Sequence, residues 1–286
     1  MATLRAIKRR INSVKGTQKI TKAMNMVAAA KLRRAQENII NARPYAYKMK
    51  SVLNGVAVLT DPKIHPLLEQ REIKKICFVV VAGDRGLCGG FNSNVFRRAE
   101  SVYNEYNEFE RNVLAVGKKS RDFLKSRKYP VIYEYVNFFR VLKFSDAQNI
   151  INWIIKLYLE RNLDRVDVIY NEFKSALRQE IVVEHLLPFI PEDNKEIIRQ
   201  DIDYIYEPSA DKIMDSLIPL HLNVQMWRIL LESNAAEHAA RMTAMEAATD
   251  NAQEMIENLT LLFNRTRQQA ITKELTEIVG GAEALK

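Results

Sequence analysis

Apolar or small residues recur in steps of four and three along the first part of the chain: Ile7, Ile11, Val14, Gln18, Thr21, Asn25, Ala28, Leu32, Ala35, Ile39, Ala42, Ala46, Met49, Leu53 and Val56. Their mean spacing of 3.5 residues predicts a helix carrying the seam of a left-handed coiled coil. Gln18, Thr21 and Asn25 interrupt that seam with polar groups, which either fixes register or leaves the stretch facing something other than a partner helix. Pro44 predicts a local kink or break. The far end of the chain repeats the pattern with Met242, Met245, Thr249, Ala252, Ile256, Leu259, Phe263, Thr266 and Ala270, and Ile256, Leu259 and Phe263 are the expected seam knobs near its tip. Alanine is dense between Ala235 and Ala248, where small side chains let helix backbones approach closely. The acids Glu232, Glu237, Glu246, Asp250, Glu254 and Glu257 oppose in sign a basic first helix, so antiparallel pairing is expected. At 1.5 Å per residue, arms of about 50 helical residues make a rod about 75 Å long, more than a compact domain requires.

The middle of the chain changes period. Ile73 to Ala82 is a β-branched run ended by the turn Gly83-Asp84-Arg85-Gly86, and a helical stretch from Ser93 to Phe109 follows. Asn112 to Val116, Val131 to Val136 and Val166 to Tyr170 read as further strands, separated by helix-like segments at Lys119 to Ser126 and Asp146 to Leu159. Such alternation predicts a mainly parallel sheet. Ile181 to Leu187 and Ile202 to Tyr206 read as an antiparallel hairpin or edge around the loop Pro188 to Gln200. The expected fold is α/β: a long antiparallel coiled coil of N- and C-terminal helices plus a central Rossmann-like, mainly parallel α/β domain. The expected division is 1–58, 70–207 and 209–286.

Composition agrees with an ordinary folded chain, since 47% apolar and 27% charged residues with 9 Gly and 8 Pro fit neither a collagen-like nor a disordered sequence. No run approaches the roughly 18 to 20 apolar residues of a membrane span, and the best, Ile76 to Ala82, suits a buried strand. Cys77 and Cys88 lack C-x-x-C spacing and are expected as free thiols in a reducing compartment. Met1 to Arg10 is basic without an apolar h-region, so a secretory signal is not expected. Charge does change the picture: the net +8 is uneven, with thirteen Lys and Arg against the single acid Glu37 in residues 1–50. A positive field of that density attracts an acidic protein partner, an anionic membrane surface or nucleic acid, unless it is simply a solvated helix face.

The motifs argue against chemistry in this chain. The run Gly83-Asp84-Arg85-Gly86-Leu87-Cys88-Gly89-Gly90 follows a strand, as phosphate loops do, but its spacing is G-x-x-G-x-x-G-G. Dinucleotide binding needs G-x-G-x-x-G, and a P-loop needs Lys and Ser or Thr after its last glycine. His65, His185, His221 and His238 are scattered, without ligand spacing, so neither metal nor cofactor is expected. Asp84 with Arg85, and Asp201 with Asp203, have no accompanying nucleophile or orienting group. Tyr170, Tyr204 and Tyr206 could stack on bases, but Asp201, Asp203 and Glu207 would repel phosphates, so nucleic acid is not expected there.

Longer motifs carry a resemblance. Ala236-Glu237-His238-Ala239-Ala240-Arg241-Met242-Thr243-Ala244-Met245 and Ala247-Ala248-Thr249-Asp250-Asn251-Ala252 closely resemble the γ subunits of F-type ATP synthases. So do Asn264-Arg265-Thr266-Arg267-Gln268, the run Ile271 to Ala282, Thr17 to Met24, Met26 to Lys31, and Asp84 to Asn92. The resemblance covers about residues 3 to 285. It implies a non-catalytic rotor: terminal helices inside a hexamer of alternating α and β subunits, and an α/β foot beside the c ring and the ε subunit, peripheral to the membrane and not spanning it. It places Met24, Arg267, Gln268, Thr272 and Glu274 against the β subunits, and Tyr204, Tyr206 and Glu207 against the c ring and ε. It gives no counterpart to the cysteine pair of chloroplast members. Because it begins almost at Met1, no transit peptide is expected, and the cytoplasmic side of a bacterial plasma membrane is the expected location. Two other readings use only part of the chain: a coiled-coil nucleic-acid binder acting through the basic first helix, and a nucleotide-dependent enzyme acting through the α/β domain.

Overall fold

A computed structural model describes residues 4–58, 65–190 and 210–283. The elements are α1 (Leu4–Val58), β1 (Lys75–Val81), α2 (Phe91–Glu105), β2 (Glu110–Val116), α3 (Lys118–Ser126), β3 (Val131–Tyr135), α4 (Phe144–Leu159), β4 (Arg165–Phe173), β5 (Gln179–Leu187) and α5 (Ala210–Glu283). The chain divides into two compact units: residues 1–28 with 242–286, and residues 29–241.

In the larger unit a five-stranded sheet has the order β3-β2-β1-β4-β5. β1 pairs in parallel with β2, Lys75 opposite Glu110 through Val81 opposite Val116, and in parallel with β4, Ile76 opposite Arg165. β5 pairs antiparallel to β4, so the run from Ile181 is a sheet edge on β4; the expected partner run, Ile202 to Tyr206, lies outside the described residues. β1 reads as a continuous apolar run because both of its faces are covered. Cys77, Val79 and Val81 join Leu114, Val116, Val168, α4 and the α1–α5 segments in one core. Ile76, Phe78 and Val80 join Val113, Ala115, Ile169, α2 and α3 in the other. The period of two along one strand thus feeds two helical layers.

One glycine is required by the backbone. Gly117, between β2 and α3, has φ +91°, and a Cβ there would lie 1.9 Å from the Ala82 carbonyl oxygen. Its N–H donates to the Tyr135 carbonyl at 2.8 Å, closing β2 onto β3.

The α1 seam is visible as burial. Within residues 29–58, Leu32, Ala35, Ile39, Ala46, Leu53 and Val56 are buried while the positions between them are mostly exposed or half-buried. Of the kink or break expected at Pro44, the break does not occur: α1 runs through it. Pro44 and Ile40 are both exposed, so the Ile40 carbonyl that loses its helical donor faces water. α5 likewise runs through Pro219.

In the smaller unit the two helices pair antiparallel, with Gln18 against Gln253, Thr21 against Thr249 and Asn25 against Met242. The polar positions that interrupt the seam are themselves the cross-helix ties. Gln18 Nε2 donates to Gln253 Oε1 at 2.9 Å, the Thr21 and Thr249 hydroxyls share a hydrogen bond of 2.8 Å, and Asn25 Nδ2 donates to the Met242 carbonyl at 3.0 Å. These bonds fix register, because a slip of one turn would leave each group unpaired.

Candidate functional site

In an open parallel sheet the place to look for a ligand is the crevice beyond the strand carboxyl ends, where the strand order reverses. Here that point lies between β1 and β4. It is filled by the chain itself. Beyond β1, Gly83 packs so closely on Glu237 of α5 that an added Cβ would lie 2.9 Å from the Glu237 carboxyl carbon. At the end of β4, the Phe173 N–H donates to Glu232 Oε2 at 3.1 Å. Two α5 carboxylates thus occupy the space beyond these strands, each already paired with a guanidinium.

The remaining groups of the glycine turn have structural partners. Asp84 Oδ1 accepts N–H bonds from Lys118 at 2.8 Å and Asn137 at 3.0 Å, and Oδ2 accepts from Phe139 at 3.2 Å. A carboxylate with three backbone donors ties β1, α3 and the segment after β3 together and leaves no free base. Asn92 Oδ1 accepts from the Gly83 N–H at 3.0 Å, and its Nδ2 donates to the Arg85 carbonyl at 3.2 Å. Cys77 and Cys88 are buried free thiols, and burial pushes Cys77 up to about 12 and raises Cys88, so both stay protonated. Glu237 is 4% exposed and pairs with Arg241; burial raises its pKa and the guanidinium only partly counters it. Among the described residues no cluster could hold a metal, and no helix is long and apolar enough to cross a membrane.

From the sequence, Glu232 and Glu237 are expected only to oppose the basic first helix in sign, with no burial assigned. Both are buried, facing Arg43 and Arg241, and the clue was available in their setting among Ala235, Ala236, Ala239 and Ala240. Glu246, Asp250, Glu254 and Glu257 are exposed.

The residues expected to meet partners fall as follows. Met24 is half-buried on α1. On α5, Ile256 is buried and Leu259 and Phe263 are half-buried, while Ala270 is exposed, so the seam fades along the last part of the helix. Arg267, Gln268, Thr272 and Glu274 are all exposed. They share two adjacent stripes with apolar residues: Arg267, Ile271, Glu274 and Ile278 on one, Gln268, Thr272, Leu275 and Val279 on the other. Ile271, Leu275, Ile278 and Val279 are exposed large apolar side chains. Pattern reading passed over these four, although Ile271, Leu275 and Ile278 follow the helical steps of four and three and Val279 lies four beyond Leu275. Tyr204, Tyr206 and Glu207 lie outside the described residues.

A family model described as ATP synthase matches residues 3–285. An ATP synthase gamma chain from Chloroherpeton thalassium is 48% identical over 301 residues, covering 100% of this chain and 99% of the relative. The chain belongs to the ATP synthase γ chain family. A γ chain is a stalk subunit and is not itself catalytic. Among solved structures, the central stalk and c ring of the Tetrahymena thermophila mitochondrial ATP synthase contains a chain of 28% identity and TM-score 0.62, covering 80% of this chain and 99% of that one. A chain in the OSCP, F1 and c-ring part of the Euglena gracilis enzyme has TM-score 0.70 at 20% identity, covering 99% and 94%, and shares the fold. For a γ chain, a switch point closed by its own carboxylates is consistent with chemistry carried out elsewhere.

Proposed function

We propose that this γ chain is the rotating central shaft of an F-type ATP synthase, coupling ion flow through a c ring to ATP synthesis or hydrolysis in a hexamer of α and β subunits. The observation that carries the reading is the end of α5, exposed on all sides yet bearing Ile271, Leu275, Ile278 and Val279. A helix in water does not hold four large apolar side chains on adjacent stripes to advantage, whereas one turning inside a protein sleeve does. On this reading Arg267, Gln268, Thr272 and Glu274 meet the β subunits among those apolar contacts, and Met24 meets them from α1. Ile256, Leu259 and Phe263 are the knobs of the paired shaft. Tyr204, Tyr206 and Glu207 face the c ring and the ε subunit. The working parts are the shaft helices 1–58 and 209–286 and the foot 70–207. As a γ chain it is part of a membrane-associated F1 complex; its home is the cytoplasmic face of a bacterial plasma membrane, where it is peripheral. No nucleic acid is involved.

A rotor transmits state only through contacts that differ with angle, so altering one such contact should change coupling before assembly. Native purification with subunit identification tests the reading: α, β, ε and c subunits should copurify in fixed ratio with this chain. Recovery of the chain free of them, with salt-sensitive DNA affinity in their place, would overturn it.

A further inference from the structure

Three polar residues of α5, about one helical turn apart, pack on the sheet or on the turn after β1, the first two through hydrogen bonds. Arg228 donates to Glu184 Oε2 at 2.6 Å and to the Tyr170 hydroxyl at 3.1 Å, and that hydroxyl donates to Glu184 at 2.8 Å. Glu232 follows, and then Glu237 against Gly83. The middle residue differs because α1 takes part. Arg43 of α1 donates to Glu232 Oε1 from Nε at 3.0 Å and from Nη2 at 2.8 Å, and Nη2 also donates to the Phe173 carbonyl at 3.2 Å. The Phe173 N–H returns to Glu232 Oε2 at 3.1 Å. The ring therefore closes through α1, α5 and the end of β4.

Glu232 is 1% exposed while Arg43 keeps one side toward solvent, so a partner that moves away leaves the Glu232 carboxylate buried with fewer bonds. The surrounding contacts, Met226, Ile229 and Leu230 among them, are apolar. Apolar contact resists separation but is non-directional, whereas hydrogen bonds are lost with modest misalignment. Turning the sheet about the helix pair must break at least one member of the ring. We propose that Arg43, Glu232 and the Phe173 peptide form a clamp that sets the torsional stiffness between the paired helices and the α/β sheet, making Arg43 and Glu232 positioning residues for rotary coupling. This deepens the stalk reading and rests on it.

Folding and stiffness are read separately, because replacing both partners avoids leaving Glu232 as an unpaired buried charge, whereas Arg43 is partly exposed and needs no buried replacement partner. The experiment uses the complete synthase with its hexamer held to a surface. A bead is attached through Leu177→Cys, a site 84% exposed in the β4–β5 turn, with Cys77 and Cys88 buried. Angular spread of the bead at each dwell, ATP hydrolysis, ions pumped per ATP against an opposing gradient, and the melting temperature are read together. The R43M/E232M double variant should melt below the parent, because the buried Phe173 N–H loses its acceptor, yet still assemble and keep the parent's hydrolysis, at least double the angular variance, and pump fewer ions per ATP under load. R43K, which keeps the charge but loses the forked geometry, should fall between. A double variant that folds and shows the parent's variance overturns the clamp. If the double variant fails to assemble, R43K decides alone: an intermediate variance supports the clamp and the parent's value overturns it. A parent enzyme that hydrolyses ATP without turning the bead would overturn the stalk reading itself, and the clamp with it.

Discussion

Two stretches of the helix α5 face opposite surroundings. From His221 to Ala239 every side chain except Trp227, Arg228 and Asn234 is buried, and the acids there, Glu232 and Glu237, have guanidinium partners. From Arg267 to Gly281 every side chain is exposed, including four large apolar ones. The first stretch is completed by its own chain. On the proposed reading, the second is completed by the subunits around it. Burial distinguishes the two stretches: in the first even carboxylates are enclosed, and in the second even isoleucines are left in water.

The sharpest way to break that comparison is to delete the same side chain in each stretch. Ile229 is 0% exposed and Ile278 is 63% exposed. Ile229→Ala should cost the isolated chain about 2 to 5 kcal/mol in urea denaturation, as deletions in a packed core do. Ile278→Ala should stay within about 0.5 kcal/mol, as surface changes do, and should show its effect only in the assembled enzyme. Equal costs in the isolated chain would remove the distinction.

A second test uses acid. All four histidines lie between residues 65 and 238. Burial lowers His221 and His238 to about 4 from 6.5, and it lowers His65 in the same direction. Each is held neutral in the fold, so its stabilisation is complete above the unfolded value and is lost as pH falls from 6.5 toward 4, by up to roughly 3 kcal/mol for His221 or His238. Glu237 works the other way: burial disfavours its charge, and that cost is relieved as pH falls through its raised folded value, offsetting part of the loss. The urea midpoint of the isolated chain should fall over this range, and His221→Gln with His238→Gln should flatten the fall. Hydrogen exchange in residues 242–283, which contain no histidine, should change less over the same range. An unchanged slope in the double variant would contradict the burial argument.

The smallest effects belong to the terminal pair. Leu259 and Phe263 are half-buried, so changing both to Ala should cost about 1 to 3 kcal/mol in a helicity melt, below the value for fully buried sites. Glu254→Gln with Glu257→Gln, both exposed, should stay within about 0.5 kcal/mol. If the charge pair costs as much as the apolar pair, Leu259 and Phe263 are not knobs of a seam.

The elements were legible because their periods are long and unmixed. The seam from Ile7 to Val56 and the β-branched run in β1 each belong to one period, and each became the burial pattern of its element. What the sequence concealed depends on surroundings. Pro44 carries a helix-breaking rule, but exposure lowers its cost by letting water reach the freed carbonyl, and the helix runs on through it. Glu232 and Glu237 have the same side chain as the exposed Glu246 and Glu254, and only the fold assigns them Arg43 and Arg241. The motif around Gly83 was legible as unsuited to phosphate, while the reason, an α5 carboxylate packed on the glycine, is a tertiary fact. Resemblance alone named Arg267, Gln268, Thr272 and Glu274 as partner contacts, and the apolar side chains beside them were missed because exposure is a tertiary fact.

The central claim is that this chain turns as one shaft while other subunits perform the chemistry. It is tested most directly by a bead on the Leu177→Cys site of the complete enzyme, with the hexamer fixed to a surface and ATP supplied. The account predicts sustained rotation in one direction, at a rate that follows ATP hydrolysis. Hydrolysis at the normal rate with a bead that only jitters about one angle would contradict it.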